Sequence, residues 1–146
     1  MDSGISDPRL ARLARAYEAL RRDNLAELLS LYADQAFFKD PFNEVHGRAE
    51  TGRVFAHMFE QLDQPRFTVN QGMAQGDSGF LLWELAFVRQ SGEPMCICGA
   101  SHLQFDADGL VVAHRDFWDP MEEIFAKLPM LGPVTRWVQA RMSASR

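Results

Sequence analysis

The sequence predicts a single α+β domain, and three observations carry that expectation. Apolar residues recur at helical spacing through the first sixty or so positions. Four strand-like segments with turn residues between them follow. A helical tail broken by prolines ends the chain. Helices gathered before and after the strands, instead of alternating with them, indicate α+β and not α/β architecture.

The elements follow in order. Leu10, Leu13, Tyr17 and Leu20 recur at i, i+3, i+7 and i+10 after the start signal SDP. RRDN interrupts, and Leu25, Leu28, Leu29 and Tyr32 then share a face of a second, short helix, with Asn24 and Glu27 as a cap pair. AFFKDP reads as a short strand ending at Pro41, because proline cannot continue a ladder. FNEVHG reads as a loop. A third helix is expected over about residues 48–63, carrying Phe55, Met58, Phe59 and Leu62, with Pro65 marking its end.

From there the period changes. RFTVNQGMAQ, FLLWELAFVRQ, MCICGASHLQF and LVVAHRDFW are separated by GDSG, SGEP and DADG, the pattern of an antiparallel meander. In the tail, Asp119, Pro120 and Glu122 form an N-terminal helix cap, so Asp119 has a structural reason to exist. Ile124, Phe125, Leu128, Met130, Leu131, Val134 and Trp137 give the tail an apolar face, bent by Pro129 and Pro133. No repeat, low-complexity segment or linker divides residues 1–146.

The hydrophobic fraction of 47% and charged fraction of 24% are those of an ordinary globular chain. A net charge of -5 without a basic face argues against a nucleic-acid partner. No apolar run is long enough to span a membrane. The polar start MDSGISDPRL lacks the order of a signal peptide, so a cytosolic location is expected. Cys96 and Cys98 fall on one face of one strand, a poor geometry for a disulfide, and two ligands do not make a zinc site. They read as buried or interface thiols.

The stretch VVAHRDFWDP, residues 111–120, carries the chemistry. Alternation on a strand puts Val112, His114, Asp116 and Trp118 on one face. Ionisable groups on an apolar face are costly to bury without partners. That face is either solvated or lines a cavity in which polar groups have a task. Asp40 before Pro41 fits a simple turn as well as a functional role. His114 and Asp116 equally fit a polar pair that ties the strands to the tail.

The stretches LYADQAFFKDP, HGRAE and DGLVVAHRDFWDP, in this order and spacing, resemble the NTF2-like superfamily, in its SnoaL-like and ketosteroid-isomerase-like branch. The resemblance covers about residues 8–120, and FAKLPMLGPVTRW is similar to the tail of SnoaL-like proteins. It implies a cone: a curved, mostly antiparallel sheet wrapped around the N-terminal helices, with a pocket at the open end and the C-terminal helical tail as a lid. Members include isomerases, polyketide cyclases, epoxide hydrolases, dehydratases and proteins that only bind. The general-base aspartate of the steroid isomerases falls on Asp40. Their oxyanion-binding tyrosine falls on Ala16, one position before Tyr17, and their protonated aspartic acid falls on Ser101.

The resemblance turns His114, Asp116 and Trp118 into the cone. The same parity brings in Leu82, Glu84 and Ala86, then Gly99, Ser101, Leu103 and Phe105. With Tyr17, Phe38 and Asp40 these would line an apolar pocket with a few convergent polar groups, the usual form of a small-molecule site. A one-residue slip would send Glu84 to solvent. The expected chemistry is acid–base: Asp40 and His114 as base and acid in either order, Asp116 orienting His114. Residues i and i+2 of a strand lie roughly 6.5–7 Å apart, so that pair must lean together to bond. The expected substrate is a small hydrophobic molecule, with no metal and no cofactor. The rivals are a protein that only holds a hydrophobic ligand, and an accessory domain that uses its convex face (Cys96, Cys98, Ala100, His102) to bind another protein. Trp83, Leu85, Phe87, Ala113 and Phe117 on that face predict a homodimer.

Overall fold

Asp7 starts the first helix: its carboxylate accepts the backbone N–H groups of Arg9 and Leu10, and Pro8 supplies a pre-set φ at the first helical position. The computed structural model describes residues 4–129 and 131–144. Its elements are α1 (Pro8–Glu18), α2 (Leu25–Leu29), β1 (Tyr32–Lys39), β2 (Glu44–His46), α3 (Arg48–Gln61), β3 (Asp63–Gln75), β4 (Ser78–Val88), β5 (Pro94–Phe105), β6 (Val111–Phe117), α4 (Pro120–Glu123) and α5 (Gly132–Met142). A single 3-10 turn at Phe125–Lys127 lies between the last two.

The strands form one six-stranded sheet in the order β2-β1-β6-β5-β4-β3. Strands β3 to β6 make the antiparallel meander, and β1 joins β6 in parallel. The α+β class and the mostly antiparallel curved sheet are as the sequence led us to expect. Irregular register in β3, between Val69 and Gln71, adds local twist and bend. The concave side takes the apolar faces of α1 and α3: Leu10, Leu13, Tyr17, Phe55 and Phe59 are all buried. FNEVHG is not only a loop. A tight turn returns the chain so that Val45 pairs with Phe38, and β2 closes the sheet edge.

The parity of β4 is opposite to expectation. Leu81, Trp83, Leu85 and Phe87 are buried against the helices, while Leu82, Glu84 and Ala86 face out. The heavier apolar set takes the core, which fixes a register in which Leu81 opposes Ser101 and Trp83 opposes Gly99. Glu84 is therefore no pocket residue, and Trp83, Leu85 and Phe87 do not belong to the convex face. That face instead exposes Phe80 (47%), Leu82 (49%) and Phe117, next to Cys98, Ala100 and His102.

The tail covers less of the cone than expected. Ile124 reaches the open end, and Lys127 Nζ donates to the Cys96 carbonyl at 3.0 Å. Helix α5 instead packs on the 3-10 turn and leaves Leu131, Val134 and Trp137 in solvent. Met130, counted with the tail's apolar face, lies outside the described residues.

Gly99 is the tightest point of the concave wall. A Cβ there would lie 2.5 and 2.6 Å from two carbons of the Trp83 ring. Gly99→Ala must push the indole aside, and overpacking of this kind costs about 1–3 kcal/mol. Urea unfolding followed by tryptophan fluorescence should show that loss together with a shifted native emission. A variant as stable as the parent would contradict the packing.

Candidate active site

Four elements meet behind the concave wall. Tyr17 stands in the last turn of α1, Tyr32 opens β1, Ser101 sits on β5, and His114 and Asp116 on β6. Ser101 is the direct cross-strand partner of Asp116, and Phe38 of β1 is the partner of His114. Ladder register alone thus brings three of the polar groups together.

They form one continuous chain of hydrogen bonds. Trp83 Nε1–H donates to Ser101 Oγ at 2.8 Å, and the Ser101 hydroxyl donates to Asp116 Oδ1 at 2.5 Å. The same Oδ1 meets His114 Nε2 at 2.5 Å, so the two β6 side chains do lean together. On the other side of the ring, Nδ1 lies 2.7 Å from Tyr32 Oη and 3.3 Å from Tyr17 Oη. The two tyrosine hydroxyls are 2.5 Å apart.

One arrangement of the protons satisfies every group. With a neutral imidazole carrying its hydrogen on Nε2, Tyr17 donates to Tyr32, Tyr32 to Nδ1, and Nε2–H to an ionised Asp116. Every hydrogen then has an acceptor. A doubly protonated ring would turn Nδ1 into a donor and leave one buried phenol hydrogen with none, a penalty of about 1–3 kcal/mol. Burial, first of all, raises the pKa of both tyrosines, and the Asp116 charge adds to it. Both phenols therefore stay protonated and able to donate.

His114 is 2% exposed, and its ring packs 4.8 Å from that of Phe38. Asp116 keeps 16% of its side chain accessible and is the point where the chain meets open space. A small inner cavity of about 20 Å³ is bounded by Tyr17, Ser101 and His114. A cavity of about 330 Å³ lies outside it, between α3 and the sheet. Phe55, Phe67, Trp83 and Asp116 line both, so they form the throat between them. The outer cavity is walled by Phe38, Met58, Leu85, Phe87, Ile97 and Trp118 among others. Among the described residues no three His, Cys, Asp or Glu side chains gather as a metal-binding set.

Asp40 is at the rim of this cavity, but its carboxylate is occupied. Oδ1 accepts the backbone N–H of Phe42 at 2.8 Å and of Asn43 at 2.7 Å, and the Asn43 side chain bonds both oxygens. This is the turn that returns β1 into β2. It does not meet His114: no hydrogen bond joins the two among the described residues. Of the other expected site residues, Tyr17, Ser101 and Asp116 join the polar chain, Phe38 and Trp118 are wall, and Glu84 is on the opposite face. Trp118 meets Phe42 edge-on at 5.6 Å across the rim. Tyr32, Phe55, Phe67 and the indole N–H of Trp83 are members of this candidate site that the sequence does not single out. Tyr32 had been placed on the α2 face, although the alternation of YADQAFF was there to move it onto the strand.

Solved structures share this architecture. A protein with a ketosteroid isomerase-like fold from Catenulispora acidiphila, solved in complex with trimethylamine, matches with a TM-score of 0.71 and 15% identity, covering 82% of this chain and 91% of its own. An NTF2-like protein of unknown function from Burkholderia pseudomallei gives 0.71 and 19%, covering 81% and 96%. AclR from Streptomyces galilaeus gives 0.67 and 20%, covering 94% and 90%. At these identities the likeness is one of fold. No curated protein matches the chain in sequence. The model of the SnoaL-like domain matches residues 13–114, a span that runs from the second half of α1 through the β1–β2 turn and α3 to His114 in β6. The chain belongs to the SnoaL-like domain family and has its NTF2-like, ketosteroid isomerase-like fold.

Proposed function

We propose that this protein is an acid–base enzyme acting on a small hydrophobic molecule, with Asp116 as its base. One observation carries the reading: a carboxylate stands in the throat of an apolar cavity, with one oxygen held and the other unoccupied. Ser101 and His114 both bond Oδ1, and among the described residues Oδ2 has no partner. A carboxylate that no lysine or arginine pairs with is costly in such a place, and a purely apolar binding site gains nothing from it. Oδ2 would take a proton from a C–H acid or a water held against the wall. His114 and Ser101 are positioning residues in this scheme, and the two tyrosines fix the imidazole's tautomer from behind. A base so placed supplies roughly 10²–10⁴-fold. Isomerisation, dehydration, aldol-type cyclisation and epoxide opening all use this step.

Asp40, the family-derived candidate for the base, has a structural task in this proposal. A second reading, a cone that only holds a hydrophobic ligand, draws support from Ala16 and Ser101. The first offers no donor, and the hydroxyl of the second is spent on Asp116.

Proton abstraction from 5-nitrobenzisoxazole, a small apolar C–H acid, separates the readings without the natural substrate. Saturable turnover by the parent should fall at least about 100-fold in Asp116→Asn, by the magnitude of general-base catalysis. Equal rates in parent and variant would retire Asp116 as the base. Asp40→Ala should lose about 0.5–2 kcal/mol, as for other capping side chains, yet keep its saturable turnover. Thermal melts and the same assay check both.

We further propose a homodimer through the convex sheet face, where Leu82, Ala100 and Phe117 form one cross-strand row beside Phe80. Apolar groups so grouped favour coverage. Sedimentation should give a dimer at micromolar concentration and a monomer for Leu82→Asp. A monomeric parent would refute it.

A further inference from the structure

The cavity has a sign as well as a shape. Its wall holds two carboxylates, Asp116 at the throat and Asp40 at the rim, and no lysine or arginine. The only other ionisable lining residue, His57, is exposed on α3 with Glu60 beside it at 3.8 Å. Arg115 and Lys39 line a shallow outer groove that Asp40, Asp116 and Trp118 also border, but Lys39 pairs with Glu44 and Arg115 lies over the Phe117 ring. In the proton arrangement above Asp116 is ionised beside a neutral imidazole, and among the described residues no lysine or arginine pairs with it. Around that charge stand three aromatic rings. Phe67 meets Trp83 edge-on at 5.7 Å, and Phe55 completes the set of rings that line both cavities. Aromatic faces attract cations through the ring quadrupole, most strongly where water is excluded.

Resting on the reading of this cavity as the ligand site, we propose that its ligand is a hydrophobic ammonium: a tertiary or quaternary nitrogen seated at Phe55, Phe67, Trp83 and Asp116, with an apolar body along Phe38, Leu85 and Trp118. The cation would supply the counter-charge that the protein withholds from Asp116. Its alkyl groups need no hydrogen-bond acceptors, which the side chains of Phe38, Leu85 and Trp118 do not offer. A carboxylate or phosphate ligand would meet like charge at both ends of the cavity, and no lysine or arginine in the wall would compensate its lost hydration.

Three probes of nearly one shape test the assignment: phenyltrimethylammonium, neutral tert-butylbenzene and the anion 2-methyl-2-phenylpropanoate. Binding is read as quenching of Trp83 and Trp118 fluorescence in the full chain. The ammonium should bind at least about tenfold more tightly than tert-butylbenzene, as expected for cation–π contacts backed by a carboxylate. The anion should not bind at millimolar concentration. In Asp116→Asn the preference for the ammonium over the neutral probe should fall below about threefold. The comparison of the three probes on the parent protein needs no variant, so a misfolded Asp116→Asn does not spare the proposal. Tighter binding of tert-butylbenzene or of the anion overturns the ammonium assignment while leaving the cavity as a ligand site. Failure of all three to bind overturns that site reading, and this inference with it.

Discussion

The shared bond at Asp116 Oδ1 is the constraint on which this structure turns. One oxygen accepts from Ser101 and from His114, and through the imidazole it reaches two buried tyrosines. Polar groups in an apolar interior are tolerated only when all of them are satisfied, and among the described residues none of the buried side-chain nitrogens and oxygens lacks a partner. Removing any one member leaves its neighbour buried and unpaired, which costs more than the bond itself contributes.

That requirement reaches far along the chain. Tyr17 must complete α1 at the right height, Tyr32 must open β1, and β5 must pair with β6 so that Ser101 faces Asp116. A slip of one residue in β6 would turn His114 and Asp116 to the convex side and break every link at once. The apolar packing supports the same register. Phe38 packs on the imidazole, and the Trp83 ring fits only because Gly99 has no side chain. Core and polar chain thus specify a single arrangement, and the open end of the cone is left as the place where Asp116 meets space. Every other member of the chain is enclosed.

Much of this was legible in the residues. The switch from helical to alternating spacing near Pro65 gave the order of layers, and strand alternation placed His114 and Asp116 on one face. Two assignments failed, each where the apolar pattern is ambiguous. FLLWELAFVRQ is apolar on both faces, so alternation alone does not say which face is buried. The cross-strand fit of Trp83 over Gly99 decides it, and that is a tertiary fact. Tyr32 was missed because LLSLYA continues a helical spacing into a strand, and the break at Ser30 is set by the cap and not by the apolar pattern. Asp40 was ambiguous by nature. An Asp-Pro step can stand at a turn or at a site, and only the bonds from Phe42 and Asn43 show that it holds the turn.

Tyr17 and Tyr32 are the only tyrosines of the chain, so absorbance at 295 nm reads the buried end of the hydrogen-bond chain directly. Both have folded-state pKa values raised above the ordinary value of about 10, chiefly by burial. The unfolded chain therefore gives up these protons first, and stability that is complete below pH 10 or so is lost as pH rises further. In a titration from pH 8 upward, no tyrosinate should form while the circular dichroism stays native, and both residues should then ionise together with unfolding. One tyrosine titrating near pH 10 in the folded protein would contradict the enclosed Tyr17–Tyr32–His114–Asp116 chain.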